Sequence, residues 1–381
     1  MQVQSRIAQL RPKLSSAFEF SQKQVRNLVE TYPDFFPMYT EGGRWRHEGE
    51  AWTNWCEGFL GGMMWVFHAR TSDLWWREKA EHYSRLIEER KTDRNVHDLG
   101  FLFWSTWKRW YDLTGEDDIY QAVITAGKTM GLRFMEKGQY LRSFVAPESL
   151  FIDIMMNVGI VFYAAQQTSD ATLLDKAHQH CLTTRRYLVR GDGSTAHEGI
   201  FDVETGGFLR QSTHQGWRGD SAWARGLAWA LYGFGTAYGM TKDPRYLSTA
   251  RLCAEFYLEY TPFEADTLGG PGIPPNDYDD PRQPVSYESS AAAIASSGLL
   301  NLSQLVQDQV YADRYLQAAL TILDTLTSPE YLAIDTPGWE GILKHGIYHQ
   351  TKGLGVDESV MWGEHFFVEA VDKVLSLGDE R

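Results

Sequence analysis

Cysteine is scarce in this sequence: Cys56, Cys181 and Cys253 are the only three in 381 residues. An odd number at wide spacing makes neither a disulfide framework nor a paired-cysteine zinc site, and a reducing compartment is the simpler setting. Positive charge is also in deficit, with 36 Lys and Arg against 50 Asp and Glu and a net charge of -14. A surface of that sign repels phosphate backbones and anionic lipids, which excludes nucleic acid and membrane surfaces as partners. Bilayer-length apolar runs are missing as well. Gly226 to Thr241 is uncharged but too short and glycine-rich to span a membrane, and the N-terminal MQVQSRIAQLRPKLSSAFEF has no apolar signal core, so a soluble, cytoplasmic protein is expected. There is no HExxH, no phosphate-binding glycine loop followed by Lys and Ser/Thr, and no G-x-S-x-G elbow. Of the eleven histidines, His178 and His180 fall on a predicted outer helix and should be exposed, while His345 and His349 lack an evident third ligand. Neither a metal nor a cofactor is expected.

What the chain has in excess is aromatic surface: 14 Trp, 19 Tyr and 19 Phe, within a hydrophobic fraction of 43%. That composition excludes disorder and requires a large core or a lined cleft. Length alone, at roughly 150 residues per domain, would divide the chain into two or three. A repeat argues otherwise. TSDLWWREKA from Thr71, TGEDDIYQAV from Thr114, TSDATLLDKA from Thr168 and TKDPRYLSTA from Thr241 share a Thr, an acidic residue and a closing small residue, with a looser copy from Gln309. Each follows an apolar helix-length run and opens an amphipathic one, so each marks a helical hairpin.

The apolar set is predicted at 55–70, 98–113, 150–168, 221–240, 287–305 and 358–376, and the amphipathic set at 15–31, 75–90, 117–135, 171–188, 244–260 and 311–327. Helices apolar all round belong inside and those with one polar stripe outside. The expected fold is an all-α, (α/α)6 barrel, with residues 1–381 as one domain. Its long connections, 136–149, 189–220, 261–286 and 328–357, all lie at one end, where a site is expected. Within the third of these, 267–281 reads as a surface loop, a rim or a lid.

Acidic residues recur at the starts of the inner helices: Glu57, Asp98, Asp153, Asp220, Glu288, Asp357 and Glu358. Helix capping accounts for any one of them as readily as chemistry does. Asp153 fits capping least, because LFIDIMMNVGIVF offers little solvation and should hold the carboxyl partly protonated, as a general acid requires. Asp98, beside His97, supplies a second carboxylate to the same mouth. Between Ser212 and Trp229, His214 and Gln215 supply donors, Arg225 a guanidinium fork suited to a carboxylate, and Trp217 and Trp223 flat apolar faces for a sugar ring. Trp229 reads as core. The combination points to a sugar-processing site.

The motifs NWCEGFLGGMMW, NVHDLGFLF, FIDIMMN, RYLVRGDGSTAH, STHQGWRGDSAWARGLAW and SYESSAAAIASSGLL, with the stretch from Tyr348 to Trp362, resemble those of the unsaturated glucuronyl hydrolases, glycoside hydrolase family 88, in order and spacing. The resemblance covers nearly the whole chain. It implies a six-hairpin α/α barrel that removes the 4,5-unsaturated uronic acid from lyase-generated oligosaccharides of glycosaminoglycan type or similar. It implies hydration of the C4=C5 enol ether rather than displacement at the anomeric carbon. On the same basis Asp153 takes the general acid/base position, Asp98 the second essential carboxylate, and Trp55, His97, His197, Gln215, Trp223, Arg225 and Tyr348 the substrate-contacting positions. Phe144 stands where relatives often have tryptophan and keeps a stacking face. Lys344, His345 and Lys352 are equally open to contacting a sulfate or to solvating a loop. The related unsaturated rhamnogalacturonyl hydrolases, a sugar 2-epimerase and a non-catalytic glycan-binding barrel are the alternatives. A monomer or homodimer is expected.

Overall fold

In the computed structural model, which describes residues 2–47 and 53–377, the Thr/Asp repeat is one recurring turn. Thr71, Thr114, Thr168 and Thr241 each end a helix, and each hydroxyl donates to the carbonyl four residues back at 2.7–3.1 Å. The next residue, Ser72, Gly115, Ser169 or Lys242, takes a left-handed φ of 52–69°. Asp73, Asp170 and Asp243 then accept a backbone N–H of the following helix. Glu116 has the backbone of such a cap without its hydrogen bond. The fifth copy keeps only the aspartate, Asp308, because Val306 leaves its helix in extended backbone. A lysine in the left-handed well is strained by about 1–2 kcal/mol, partly offset by the extra unfolded-state freedom of a glycine. Lys242→Gly is therefore expected to stabilise the protein by about 0.5 kcal/mol, read as a higher denaturant midpoint; a lower one would show that the lysine side chain holds the turn.

The outer helices are α1 (Gln2–Thr31), α3 (Leu74–Leu86), α6 (Asp117–Gly131), α8 (Ala171–Tyr187), α10 (Pro244–Tyr260) and α12 (Gln309–Leu326). The inner ones are α2 (Glu57–Thr71), a rod of α4 (Leu99–Phe103), a π-helical turn (Trp104–Lys108) and α5 (Arg109–Thr114), then α7 (Ile154–Thr168), α9 (Ala224–Thr241), α11 (Ser289–Leu305) and α13 (Met361–Ser376). Each inner element packs on the next, and α13 returns to α2, closing an (α/α)6 barrel. Several boundaries differ from expectation: α3 ends at Leu86 rather than near 90, and α6 at Gly131 rather than 135, because Phe134–Met135 is a strand. The first helix begins at Gln2 and runs through Pro12, and the third inner helix starts only at Ile154, because Ser149–Phe151 is a strand. No helix among the described residues is long and apolar enough to cross a membrane.

The long connections carry short antiparallel strands that the helical reading missed: β1 (Thr40–Glu41) with β2 (Arg44–Trp45), and β3 (Phe134–Met135) with β4 (Tyr140–Leu141). A three-stranded sheet joins β5 (Ser149–Phe151), β6 (Glu198–Phe201) and β7 (Phe208–Ser212), and β8 (Gly346–His349) pairs with β9 (Leu354–Glu358). Strands this short have no readable alternation, and β5 pairs across most of a hairpin repeat. The segment 267–281 is a strut rather than a lid. Its buried Asp277 accepts from the Trp217 N–H at 2.8 Å and the Ser221 hydroxyl at 2.6 Å, fixing the loop that leads into α9.

Two glycines bring the inner helix starts together. A Cβ on Gly58 would lie 2.3 Å from the Phe101 carbonyl, and one on Gly100 would lie 2.5 Å from Asn157 Cα. Asn157 completes the junction: its Oδ1 accepts from Phe101 N–H at 2.7 Å and its Nδ2 donates to the Asp153 carbonyl at 3.2 Å. The start of α4 and the start of α7 are thereby tied, with an aspartate at each.

Candidate active site

Asp98 and Asp153 stand at the N-cap positions of α4 and α7, yet neither side chain caps its helix. The other acids at this end have ordinary structural partners. Glu288 caps α11 through the N–H groups of Ser290 and Ala291 at 3.0 and 2.9 Å, and Glu358 accepts from Thr40, Gly42 and Gly43 to hold the β1–β2 hairpin. Glu57 accepts from the Thr53 hydroxyl, exposed Asp220 pairs with Arg218 ahead of α9, and Asp357 pairs with His345. By contrast, Oδ2 of Asp98 and Oδ2 of Asp153 are both buried without a hydrogen-bond partner. Orphaned buried oxygens cost stability and need a reason.

Both carboxyls hold their protons more tightly than a free aspartate. Burial pushes Asp153 up to about 6, against the pull of Arg225. Burial also raises Asp98 well above the usual carboxylate value, and the charge of Asp153 adds to the shift. A pair of this kind titrates jointly and retains a proton near neutrality, which suits it to give and recover one.

A histidine faces each carboxyl in the same way. His97 Nδ1 accepts the Phe144 backbone N–H at 3.1 Å, so the ring proton sits on Nε2, 3.3 Å from Asp98 Oδ1. His197 Nδ1 receives the backbone N–H groups of His214 and Gln215 at 3.2 and 3.4 Å, leaving its Nε2–H 3.6 Å from Asp153 Oδ2. Burial holds both rings well below the ordinary histidine range, so both are neutral donors.

Arg225 is clamped. Its NH1 donates to the Ile347 carbonyl and its NH2 to Gln215 Oε1 and, at 3.0 Å, to the Tyr348 carbonyl. The guanidinium lies 4.4 Å from the Trp223 ring and 4.9 Å from Trp362, with Glu288 at 3.9 Å. It thus ties α9 to β8 and contributes its field to Asp153. Arg225→Ala would leave the Ile347 and Tyr348 carbonyls and Gln215 Oε1 without their donor, and a loss of about 2–3 kcal/mol in unfolding free energy is expected. An unchanged denaturation midpoint would show that the clamp is dispensable.

The remaining expected residues are gathered at the same mouth, with different exposures. Trp223 is buried between His197, 4.5 Å away, and Arg225, so in this state it supports the site from behind. Trp55 packs at 4.7 Å on Trp362, and Tyr348 stacks at 5.7 Å on Tyr39, both half-buried. Phe144, 40% exposed, lies parallel to His97 at 5.5 Å. His214 is exposed and its Nε2 lies 3.4 Å from the buried Glu198. Lys352 is exposed, Lys344 donates to the Pro329 carbonyl, and His345 lies between Asp357 and Glu330. His180 is a correction: it is fully buried and its Nδ1 accepts the Leu141 N–H at 3.1 Å. His178 is half-buried against the Tyr246 hydroxyl.

Three supporting residues escaped the sequence reading. Asn157 is visible there only as the end of FIDIMMN. Arg133 holds the carbonyls of Arg94, Ser143 and, at 3.0 Å, Arg142, bracing the strap that supports His97. Trp362 backs Trp55 and Arg225 from α13. Tryptophan and arginine in helix ends carry no local signal of such roles.

Comparison with known proteins gives this geometry a family. Residues 30–246 match the model of Glycosyl Hydrolase Family 88. The chain is 31% identical over 331 residues to an unsaturated glucuronyl hydrolase of Formosa agariphila, covering 85% of this chain and 80% of the relative. It is 31% identical over 359 residues to an unsaturated glucuronyl hydrolase of a Bacillus species (strain GL1), covering 91% and 92%. Among solved structures, an unsaturated glucuronyl hydrolase specific for heparin superimposes with a TM-score of 0.88 at 27% identity, over 97% of this chain and 98% of that one. Matched by that family's model and by relatives along most of its length, the chain belongs to glycosyl hydrolase family 88, a family of glycosidases.

Proposed function

We propose that this enzyme removes a 4,5-unsaturated uronic acid from the non-reducing end of lyase-generated oligosaccharides by hydrating the C4=C5 double bond, with residues 1–381 acting as one catalytic domain. The observation that carries the reading is the pair of buried, non-capping carboxyls, Asp98 and Asp153, each with an unpartnered oxygen at one mouth.

In this reading Asp153 delivers its proton to C4, and the electron pair of the double bond forms the new C–H bond. Positive charge at C5 is shared with the ring oxygen. Water adds to C5 and gives its proton back to the Asp153 carboxylate, so the acid is regenerated. The product is a hemiketal at C5; its ring opens to a ketone and the anomeric carbon then releases the sugar it carried. Asp98 is the second carboxyl of the cycle. The Nε2–H of His197, 3.6 Å from Asp153 Oδ2, and that of His97, 3.3 Å from Asp98 Oδ1, face the two carboxyls and stand ready to steady their charged forms. Phe144, Trp55 and Tyr348 supply the faces for the sugar rings, and His214 and Gln215 donors at the rim. The chain as a whole is acidic, so attraction for an anionic sugar is local, through the field of the buried Arg225 rather than an ion pair with it, its donors being taken by Ile347, Tyr348 and Gln215.

The decisive test is a panel of unsaturated disaccharides from hyaluronan, chondroitin, heparin, gellan and pectin, followed by loss of the ultraviolet absorbance of the double bond. At least one glucuronate-containing member should be hydrated; retention of the double bond in all of them would overturn the reading. The acid must be protonated to act, and Asp153 loses its proton as pH rises through about 6. kcat/KM should therefore fall above that pH, and a flat profile to pH 9 would remove Asp153 from the role.

A further inference from the structure

A second polar chamber lies inside the barrel, beneath an aromatic floor. Phe59, Phe101, Trp229 and Phe366, from α2, α4, α9 and α13, form a closed ring of contacts with centroids 5.1–5.7 Å apart. Trp55, at the mouth, packs on Phe59 and Phe101. On the other side of this floor, a cavity of about 330 Å³ extends toward the C-terminal ends of the α4–α5 rod, α9, α11 and α13. That volume is at the lower end of the range for small-molecule sites. The short Thr/Asp turns are at this end of the barrel, and none of the active-site residues named above lines the chamber.

Its charges do not balance. Buried Glu369 accepts from Arg109 at 2.6 Å, Lys373 at 2.7 Å, the Ser297 hydroxyl at 2.7 Å and the Tyr232 hydroxyl. Lys108 is paired with Asp112. Two cations therefore share one carboxylate, and Arg109 Nε is buried with no hydrogen-bond partner. Arg109 and Lys373 keep 32% and 27% of their side chains exposed, so the surplus positive charge is open to the chamber and draws an anion there.

The other walls narrow the chemistry. His365 Nδ1 faces the Phe59 carbonyl at 3.2 Å and so carries the ring proton. Its Nε2 is an acceptor 3.9 Å from Glu369 Oε2, so a ligand hydroxyl can donate to either of them. Trp104 and Phe366 provide apolar faces. The rod is π-helical at Trp104–Lys108, where it lines the chamber, and such turns recur at functional sites.

We propose that this chamber binds a compact sugar acid, with its carboxylate on Arg109, its hydroxyls on His365 and Glu369, and its ring against Trp104 and Phe366. The inference stands independently of the roles given to Asp98 and Asp153. Calorimetric titration of the full chain with D-glucuronate, D-glucose and sodium sulfate tests it, using Arg109→Met and Asn301→Leu. Asn301, on α11, lines the chamber; its replacement by leucine narrows the space without removing an ion pair, and it decides the matter if the first variant fails to fold. D-glucuronate should bind the wild-type chain, and about tenfold more weakly to each folded variant, while glucose and sulfate bind the wild type about tenfold more weakly than glucuronate does. Turnover of an unsaturated disaccharide should stay within about threefold of wild type in both variants, because neither residue is at the mouth. Undetectable glucuronate binding, binding undiminished in both folded variants, or equal binding of glucose or sulfate would overturn the proposal.

Discussion

Asp153→Asn is expected to abolish turnover while making the protein more stable at pH 7. The kinetic half follows from chemistry: an amide matches the carboxyl in shape but cannot deliver and recover a proton, and loss of general acid catalysis costs about 10²–10⁴-fold. The stability half follows from the carboxyl's position. Its folded pKa is about 6 against an ordinary 3.8. The folded state thus binds the proton more tightly than the unfolded chain, and stability is lost as pH rises between those two values. Above the window the buried charge costs about 3 kcal/mol, a cost an asparagine does not carry. Turnover assays together with denaturant melts at pH 4 and pH 7.5 check both halves. The variant should gain stability over wild type only at the higher pH. Wild-type turnover would remove Asp153 from the mechanism, and a variant destabilised at pH 7.5 would show that the carboxylate is satisfied in the folded state.

The next largest effect is expected for Asp98→Asn, a fall of about a hundredfold or more in kcat with KM within a few fold. Asp98 lies one hydrogen-bond length from the His97 Nε2–H and presents its other oxygen, unpartnered, to the site. Burial, reinforced by the charge of Asp153, keeps it protonated well above the usual carboxylate range. Replacing a neutral carboxyl by a neutral amide should leave the Asp153 titration in place. The alkaline limb of kcat/KM should therefore stay near pH 6 even as the rate falls. A limb displaced downward by a unit or more would mean that Asp98 is ionised in the working enzyme.

The hairpin repeat was legible because each copy is local. A Thr hydroxyl reaches back four residues and an Asp carboxylate reaches forward two or three, so the turn is written in a few consecutive residues. The short strands were not legible: β5 finds β6 only across α7 and α8, and β6 and β7, though joined by a short loop, are too brief to show alternation. His180 was misread for a related reason: an outer helix has a face toward its neighbours, and the β4 strand covers it.

The site divides along the same line. That acids cluster at the inner helix starts was determined by the sequence alone, as were the barrel, the end that carries the long loops and the apolar setting of Asp153. Which of those acids are spent as caps and ties, and which are left unpartnered, was decided only by tertiary structure. Glu288 and Glu358 resemble Asp98 and Asp153 in sequence position, yet Glu288 turns onto its own helix and the Ile347 N–H, Glu358 onto the β1–β2 hairpin, and the other two are left with an unpartnered oxygen each. The arginine expected to await a carboxylate is instead bound to two carbonyls and an amide. Local hydrogen bonds reach three or four residues and can be read in order along the chain. The protonation of a buried carboxyl depends on groups that closure of the barrel brings together from its far parts.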